Sequence, residues 1–132
     1  MYTNTLKLNN GVEIPQLGLG TWFIDDDKVA DAVKAAVEIG YRHIDTAQAY
    51  GNERGVGEGV RTCGIPREEL FVVSKVAAEH KTYEEAMAGI NETLEKMGLD
   101  YLDMMIIHSP QPWVKVNQCE DRYVEGLSLI HI

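Results

Sequence analysis

The chain begins with two short segments in which apolar and polar residues alternate, Leu6-Lys7-Leu8 and Val12-Glu13-Ile14, on either side of Asn10-Gly11. Alternation with a period of two is typical of a half-buried strand. Asn-Gly supplies the positive φ angles that a type I′ turn requires. The pattern therefore predicts a β-hairpin with a type I′ turn, followed by a short apolar strand over residues 16–19 that ends at Gly20.

Helical spacing of apolar residues begins after a run of three aspartates, residues 25–27. We expect their side chains to cap free N–H groups of a first helix, which ends at Gly40. Its apolar positions are Val29, Val33, Ala36 and Val37. A weaker, glycine-interrupted helix is predicted over residues 53–63. A third helix begins with a capping box at residues 82–85 and ends at Gly98. Its apolar stripe is Ala86, Ile90, Leu94 and Met97.

Apolar segments over residues 41–46, 70–76 and 102–108 separate these helices and predict further strands. The composition of residues 70–76 indicates a strand buried on both faces. Strand and helix therefore alternate as β-α-β-α-β-α-β, which predicts an α/β fold with a parallel sheet and helices outside it. An open doubly wound sheet and a (β/α)8 barrel both fit this order, and periodicity does not separate them.

Composition narrows the class of protein. The 132 residues, 45% hydrophobic and 25% charged, are typical of one globular domain. No apolar run approaches the roughly 20 residues of a membrane helix, and the first residues do not resemble a signal peptide. We interpret Cys63 and Cys119 as reduced thiols of a cytoplasmic protein. The net charge of −9 disfavours nucleic acid as a partner. The basic residues that would hold any phosphorylated cofactor must therefore form a local group or lie elsewhere.

Ionisable side chains follow the ends of the predicted strands: Asp45, Lys75 and His108 end three of them, and Tyr50 lies in the loop after the first of these. In parallel α/β proteins the active site assembles at this edge. Each residue alone also has a structural explanation. Asp45 could be a cap, Lys75 a solvated cation, Tyr50 a packed ring and His108 a core histidine. Four of them at one edge favour an active site.

These four side chains suit proton delivery to a carbonyl group. Tyrosine ordinarily titrates near 10, and a neighbouring lysine ammonium favours its phenolate. An aspartate paired with the lysine keeps the ammonium charged and oriented. A neutral histidine can donate a hydrogen bond to the substrate oxygen. The residue types therefore indicate acid–base chemistry at an oxygen atom.

Other patterns are weaker. Residues 18–23 lack the third glycine of a dinucleotide-binding fingerprint, and Gly55, Gly57 and Gly59 also miss its spacing. His43, Asp45 and His108 suggest a metal site of a barrel hydrolase, but no second histidine or carboxylate pair supports it, so no metal is expected. We interpret the charges at residues 53–54 and 67–69 as solvated.

Four ordered motifs carry a resemblance to a known family: LGLGTW at residues 17–22, GYRHIDTAQAYGNE at 40–53, SKV at 74–76 and IIHSP at 106–110. Together they resemble the aldo-keto reductase family, in its bacterial 2,5-diketo-D-gluconate reductase-like branch. The resemblance implies a fold: the N-terminal half of a (β/α)8 TIM-type barrel preceded by a β-hairpin, with barrel strands 1–4 in residues 1–126.

The resemblance also implies an activity, the NADPH-dependent reduction of aldehydes or ketones to alcohols. By that resemblance Tyr50 is the proton donor, Lys75 and Asp45 tune it, and His108 positions the carbonyl. The residues near the nicotinamide are Thr21, Trp22 and Asp45. Those that border the substrate are Trp22, His108 and Trp113, although Trp113 also fits a loop anchor.

A (β/α)8 barrel needs about 250 residues, so four strands of the fold and most of the family's dinucleotide site are expected to be absent from this chain. Residues 127–132 replace an expected amphipathic helix with a short apolar tail, and we hypothesise that this tail is non-native. Finding the same stop in re-sequenced native DNA would contradict that hypothesis.

A half-barrel has open edges, and inward-facing apolar residues such as Met105 and Ile107 lose their partners. We therefore expect self-association, which a monodisperse monomer at micromolar concentration would contradict.

Three hypotheses about function follow. The first is an active reductase whose other half comes from a partner chain. The second, which we favour for the literal chain, is a truncated and catalytically inactive half-barrel. The third is a non-catalytic, self-associating interaction module, which would not need the four residues Asp45, Tyr50, Lys75 and His108.

Overall fold

A computed structural model describes residues 4–108. It begins with the predicted hairpin, in which β1 (Thr5–Lys7) pairs antiparallel with β2 (Glu13–Pro15). The hairpin is confirmed, but the type I′ turn is wrong. Gly11 has a φ of 88°, whereas Asn10 does not lie in the left-handed region. Gly11 N–H donates to the Leu8 carbonyl at 2.9 Å, and the Asn10 side chain accepts from Val12 N–H at 3.1 Å. The loop is thus longer than a two-residue type I′ turn, and Gly11 supplies its single positive φ.

Four parallel strands follow in chain order: β3 (Leu19–Gly20), β4 (His43–Asp45), β5 (Phe71–Val76) and β6 (Met104–Ile107). β4, β5 and β6 each pair with the strand before them. The connections are α1 (Val29–Glu38), α2 (Glu53–Thr62) and α3 (Tyr83–Met97), with short 3₁₀ turns at Gln48–Tyr50 and Arg67–Glu69. A doubly wound sheet reverses its strand order at a switch point, whereas sequential order is that of a barrel.

The hydrophobic core lies between the sheet and the helices. Every residue of β5 is buried, as the composition of that segment predicted. The fully or nearly fully buried residues of the core are Val29, Val33, Val37, Ile44, Val56, Val60, Leu70, Val72 and Met97. No helix within residues 4–108 is long and apolar enough to cross a membrane.

The glycines of α2 have a packing role. A Cβ atom on Gly57 would lie 2.1 Å from the carbonyl oxygen of Met97 and 2.3 Å from its Cα atom. A Cβ atom on Gly55 would lie 2.1 Å from the carbonyl oxygen of Asp26. The backbone of α2 therefore approaches neighbouring backbone more closely than any side chain permits.

Substitution of Gly57 by alanine is expected to lower the free energy of unfolding by about 1–3 kcal/mol, because α2 must move away from the end of α3. In an exposed helix the same change would instead stabilise by about 1 kcal/mol. Denaturant unfolding shows whether the substitution lowers or raises the free energy of unfolding. Thr62→Ala, at an exposed position of the same helix, is the control and should change stability by less than about 0.5 kcal/mol. A Gly57→Ala protein as stable as the parent would contradict the packing role.

The two predicted helix starts have different outcomes. The capping box of α3 is confirmed, since Thr82 Oγ1 accepts from Glu85 N–H at 3.2 Å and the Glu85 carboxylate accepts from Thr82 N–H at 3.1 Å. The side-chain caps predicted for α1 are wrong. The Asp25 carboxylate pairs with Lys28 at 2.5 Å, and the Asp26 carboxylate accepts from Gly55 N–H on α2 at 2.8 Å. A local lysine and a remote backbone N–H thus take the carboxylate oxygens that the sequence pattern assigned to the helix end.

Two of the charged residues interpreted as solvated are partners in buried or half-buried networks. Glu53 is 3% exposed, and its carboxylate accepts from Ser74 Oγ at 2.6 Å and from Thr93 Oγ1 at 3.3 Å. The Arg67 guanidinium pairs with Asp103 at 2.7 Å and stacks on a tyrosine ring. The solvated interpretation is therefore wrong for Glu53 and Arg67, because sequence shows a charge but not the face on which it lies.

The register of the sheet corrects the expectation about inward-facing residues. Lys75 lies opposite Ile106, and Ser74 lies opposite Met105. Neighbours in register point to the same face, so Ile106 shares the face of Lys75. Met105 and Ile107 lie on the other face, and the expectation was wrong by one residue. Ile106, which is 40% exposed, is the apolar residue that this open edge presents beside Lys75.

Candidate active site

The parallel strands bring the predicted side chains to one edge of the sheet. Asp45 ends β4, Lys75 is the penultimate residue of β5, and His108 directly follows β6. The His108 N–H donates to the Val76 carbonyl at 3.0 Å, which continues the strand pairing to the histidine. A 3₁₀ turn after β4 carries Tyr50 over the same edge. Residues separated by 63 positions in sequence thereby become neighbours (108 − 45).

Lys75 is the centre of the site. Its ammonium donates to Asp45 Oδ2 at 2.7 Å, to the Thr46 carbonyl at 2.7 Å and to Tyr50 Oη at 3.1 Å. A lysine ammonium has three N–H groups, and these contacts use all of them. The Lys75 side chain is 11% exposed and that of Asp45 32% exposed. The cation is therefore held beside the phenolic oxygen by two further acceptors.

His108 approaches the ring of Tyr50 edge-on, with 5.8 Å between the ring centroids. Burial lowers the pKa of His108 below its ordinary 6.5, and the positive charge of Lys75 lowers it further, against smaller opposing effects of Asp45 and Glu79. At neutral pH the imidazole is therefore uncharged and can donate one hydrogen bond to an oxygen atom.

This environment predicts how stability depends on pH. Because folding lowers the pKa of His108, the unfolded chain binds the proton more readily, and the stabilisation present above pH 6.5 is lost as the pH falls through the folded value. NMR titration of the ring should give a pKa below 6.5, and His108→Gln should reduce the slope of stability against pH in this window. A His108 pKa at or above 6.5 would contradict the burial argument.

Two further residues predicted near the cofactor and substrate, Thr21 and Trp22, directly follow β3 beside this centre. Thr21 is fully buried, and its N–H and Oγ1 donate to the Asp45 carbonyl at 3.0 and 3.1 Å. Its hydroxyl thus holds the backbone of the site. Trp22 is 64% exposed and stacks 6.3 Å from Tyr50. Trp113, Cys119 and the tail over residues 127–132 lie outside the described residues.

Two amide side chains, which sequence reasoning missed, hold the loop around Tyr50. Gln48 Oε1 accepts from Ala77 N–H at 2.7 Å, which docks the 3₁₀ turn onto the end of β5. Asn52 Nδ2 donates to the carbonyls of Thr21 and Ile24 at 2.8 and 2.9 Å. Asparagine just before a helix is a typical N-cap, but Asn52 makes no side-chain cap. In the sequence, the only signal for these two amide side chains was their position within the motif of residues 40–53.

The metal alternative has no geometric support in the described part of the chain. His43 Nδ1 lies 3.0 Å from the Pro15 carbonyl oxygen, and its ring packs edge-on against Phe71. Within residues 4–108 no three histidine, cysteine, aspartate or glutamate side chains are grouped so that they could hold a metal ion.

Comparison with known proteins identifies the class to which this fold and site belong. Residues 16–131 match the model of the aldo/keto reductase family, and the chain belongs to that family. The family fold is a (β/α)8 barrel, of which the described sheet is the first half. The expectations of family and fold class are confirmed.

Individual relatives show how much of that barrel the chain spans. It is 49% identical to a 9,11-endoperoxide prostaglandin H2 reductase of Trypanosoma cruzi over 81% of this chain and 38% of the relative. It is 48% identical to a glyoxal reductase of Bacillus subtilis over 81% of this chain and 39% of the relative. The crystal structure of a Bombyx mori aldo-keto reductase in complex with NADP matches with a TM-score of 0.77 and 37% identity, over 84% of this chain and 39% of that one. The chain thus spans about two fifths of the length of the curated relatives it matches.

Proposed function

We propose that this chain carries the acid–base machinery of an NADPH-dependent carbonyl reductase that converts aldehydes or ketones to alcohols. The observation that supports it most directly is the Lys75 ammonium, which contacts Asp45 Oδ2 at 2.7 Å and Tyr50 Oη at 3.1 Å. A phenol beside a fixed cation is a proton donor whose conjugate base is stabilised in place.

The proposed roles follow from these contacts. Neutral His108 donates a hydrogen bond to the substrate oxygen and holds it near Tyr50. Tyr50 Oη transfers its proton to that oxygen as negative charge develops there, and Lys75 stabilises the phenolate that remains. Asp45 keeps the ammonium charged and aimed. A hydride added to the carbonyl carbon and this proton added to the oxygen together give the alcohol.

NADPH would supply the hydride when bound, and the described residues fit only its reactive end. Thr21, Trp22 and Asp45 lie at the edge of the sheet beside the proton donor, as a nicotinamide site requires. The cleft next to Tyr50 has a volume of about 410 Å³, and among its described lining residues there is no lysine or arginine. Of the three residues proposed for the nicotinamide, only Trp22 lines this cleft. The phosphate groups of NADPH need cations from another part of the protein.

The lack of cations among the described residues of that cleft favours a second candidate, a chain that keeps the site residues but is catalytically inactive by itself. Titration of the purified 132-residue chain with NADPH, followed by fluorescence, tests the two against each other. Saturable micromolar binding, with carbonyl-dependent loss of NADPH absorbance, is the expected result for a reductase. Absence of binding up to millimolar NADPH would overturn the proposal for this chain and leave the inactive form.

A further inference from the structure

The 3₁₀ turn that carries Tyr50 contributes no buried residue to the core. Polar contacts therefore have a large share in holding it, and Gln48 supplies two of them. Gln48 Oε1 accepts from Ala77 N–H at 2.7 Å, and Gln48 Nε2 donates to Thr93 Oγ1 on α3 at 3.1 Å. The placement of the turn thus depends in part on what holds the hydroxyl of Thr93.

That hydroxyl leads to a carboxylate enclosed by the core. Thr93 is fully buried, and its Oγ1 donates to Glu53 Oε2 at 3.3 Å. Ser74, also fully buried, donates through Oγ to Glu53 Oε1 at 2.6 Å, a distance typical of a hydroxyl bonded to a charged carboxylate. Glu53 is 3% exposed and lies in the first turn of α2, where the helix dipole favours negative charge. Each oxygen of this carboxylate accepts a hydrogen bond.

These hydrogen bonds form a polar circuit that begins and ends beside Lys75. The circuit passes, in order, through Ser74, Glu53, Thr93, Gln48 and Ala77. Ser74 directly precedes Lys75 in β5, and Ala77 directly follows the strand. Because successive residues of a strand point to opposite faces, Ser74 joins the circuit on the face away from the Lys75 side chain. The circuit therefore connects the strand that carries the ammonium group with the turn that carries the proton donor.

The circuit is sensitive to the loss of any one member. A buried polar group that loses its partner is costly, and a buried carboxylate more so. Removal of the Thr93 hydroxyl would take a donor from Glu53 Oε2 and an acceptor from Gln48 Nε2. The helices are fixed by the apolar core, whereas the turn has no buried residue. The turn is therefore the part that moves when the circuit is broken.

We propose that Thr93 and Glu53 are positioning residues for the proton donor, because the polar circuit keeps Tyr50 Oη at hydrogen-bonding distance from Lys75. The two atoms lie 3.1 Å apart, so a displacement of about 1 Å would break their contact. A displacement of about 1 Å caused far from the chemistry can lower turnover about 100-fold. The effect on turnover rests on the proposed function, whereas the placement of the turn does not.

The placement of the turn can be measured without turnover, by NMR on the purified 132-residue chain. Thr93→Val keeps the shape of the side chain and removes the hydroxyl, whereas Thr93→Ser keeps the hydroxyl. Hydrogen exchange of the Ala77 N–H reports the turn, and that of the Thr46 N–H, which donates to a carbonyl of β5 at 2.9 Å, reports the sheet. The nuclear Overhauser effect between the rings of Tyr50 and His108, whose centroids are 5.8 Å apart, reports the position of the donor.

Thr93→Val should raise the exchange rate of the Ala77 N–H about fivefold or more relative to that of Thr46, the factor expected for one lost hydrogen bond, and should weaken the effect between the rings. Thr93→Ser should keep both values, and Glu53→Gln should change them as Thr93→Val does. Val33→Ala, a cavity variant in the core beside α1, is the control for a general loss of stability. A parent-like exchange ratio or ring contact in Thr93→Val or Glu53→Gln would overturn the role of that residue. Equal changes in Val33→Ala would overturn the circuit.

Turnover separates this inference from the proposed function. Where a carbonyl substrate oxidises NADPH, Thr93→Val should lower kcat about tenfold to 100-fold, and Thr93→Ser should restore it. In the Tyr50→Phe background Thr93→Val should cause no further loss, since the circuit acts through Tyr50 Oη. An unchanged kcat, or an equal further loss in that background, would overturn the positioning role. Where NADPH is not oxidised, a selective loosening of the turn in Thr93→Val supports the circuit, and the failure lies with the proposed function alone.

A second variant keeps the inference testable if Thr93→Val does not fold. Gln48→Met cuts the same link from the turn, at a half-buried position that the core does not need. The contact between the rings of Tyr50 and His108 is then the measured quantity, and it should weaken as expected for Thr93→Val. A parent-like ring contact in Gln48→Met would overturn the circuit.

Discussion

Replacing Tyr50 with phenylalanine should lower carbonyl-dependent NADPH oxidation by a factor of about 100 or more, the contribution of a positioned general acid. The substitution removes only the oxygen that lies 3.1 Å from the Lys75 ammonium. The ring can still pack against His108 and Trp22, and Lys75 keeps its acceptors on Asp45 and Thr46. The loss should therefore appear in kcat rather than in the stability of the fold or in cofactor binding.

The control is Tyr83→Phe, which removes the same atom from an exposed tyrosine on α3 and should leave turnover unchanged. Steady-state kinetics with one aldehyde, together with NADPH titrations of the three proteins, provide the comparison. A Tyr50→Phe protein with the turnover of the parent would remove Tyr50 as the proton donor, even if the chain proved to be a reductase.

The grouping of Asp45, Lys75 and His108 could be predicted from sequence because one physical rule produces it. Parallel strands connected by helices end at the same edge, so a polar residue at the end of each apolar segment reaches the same place whatever the loop lengths. The strand ends were predictable from composition, since residues 70–76 are apolar enough to mark a strand buried on both faces. The position of these three residues at one edge of the sheet could therefore be predicted without any knowledge of side-chain contacts.

Features that depend on one-residue precision or on distant contacts could not be predicted. The face on which Met105 lies depends on the register of β6 against β5, and period-two patterns carry no such information in a strand that is apolar at every position. Glu53 follows a loop and precedes an arginine, which in sequence resembles a solvated helix start. Only the approach of α2 and α3 to β5 turns it into an acceptor for Ser74 and Thr93.

The turn between β3 and α1 shows the same limit at the site itself. Trp22 was expected beside the substrate through its motif, whereas nothing in the sequence indicated that Asn52, 30 residues further along the chain (52 − 22), would hold this turn. Hydrogen bonds of this kind, between a buried amide and two carbonyls of a remote turn, have no local pattern. They nevertheless hold the turn that carries Trp22, whose ring stacks 6.3 Å from that of Tyr50.

The ion pair at the centre of the site predicts an asymmetric response to removing its charges. Lys75→Met leaves the Asp45 carboxylate without its cation and the Thr46 carbonyl without its donor. Removing one partner of a fully buried pair costs about 3–5 kcal/mol, and since the Asp45 side chain is 32% exposed we expect about 3 kcal/mol here. Carbonyl reduction should be lost as well, because the phenolate of Tyr50 would have no cation beside it.

The double variant Asp45→Asn/Lys75→Met separates the two consequences, because it removes the unpaired charge without restoring the cation. Its free energy of unfolding should exceed that of Lys75→Met by about 1 kcal/mol or more, while turnover stays lost. The exposed pair of Lys96 and Glu92, also 2.7 Å apart, is the matched control, and Lys96→Met should cost less than about 1 kcal/mol. Denaturant unfolding of the parent, both single variants and the double variant measures the coupling. If the losses in unfolding free energy of the two single variants simply add up in the double variant, the coupling between Asp45 and Lys75 is contradicted. Asp45 would then be tolerated without its cation, and Lys75 would act only on Tyr50.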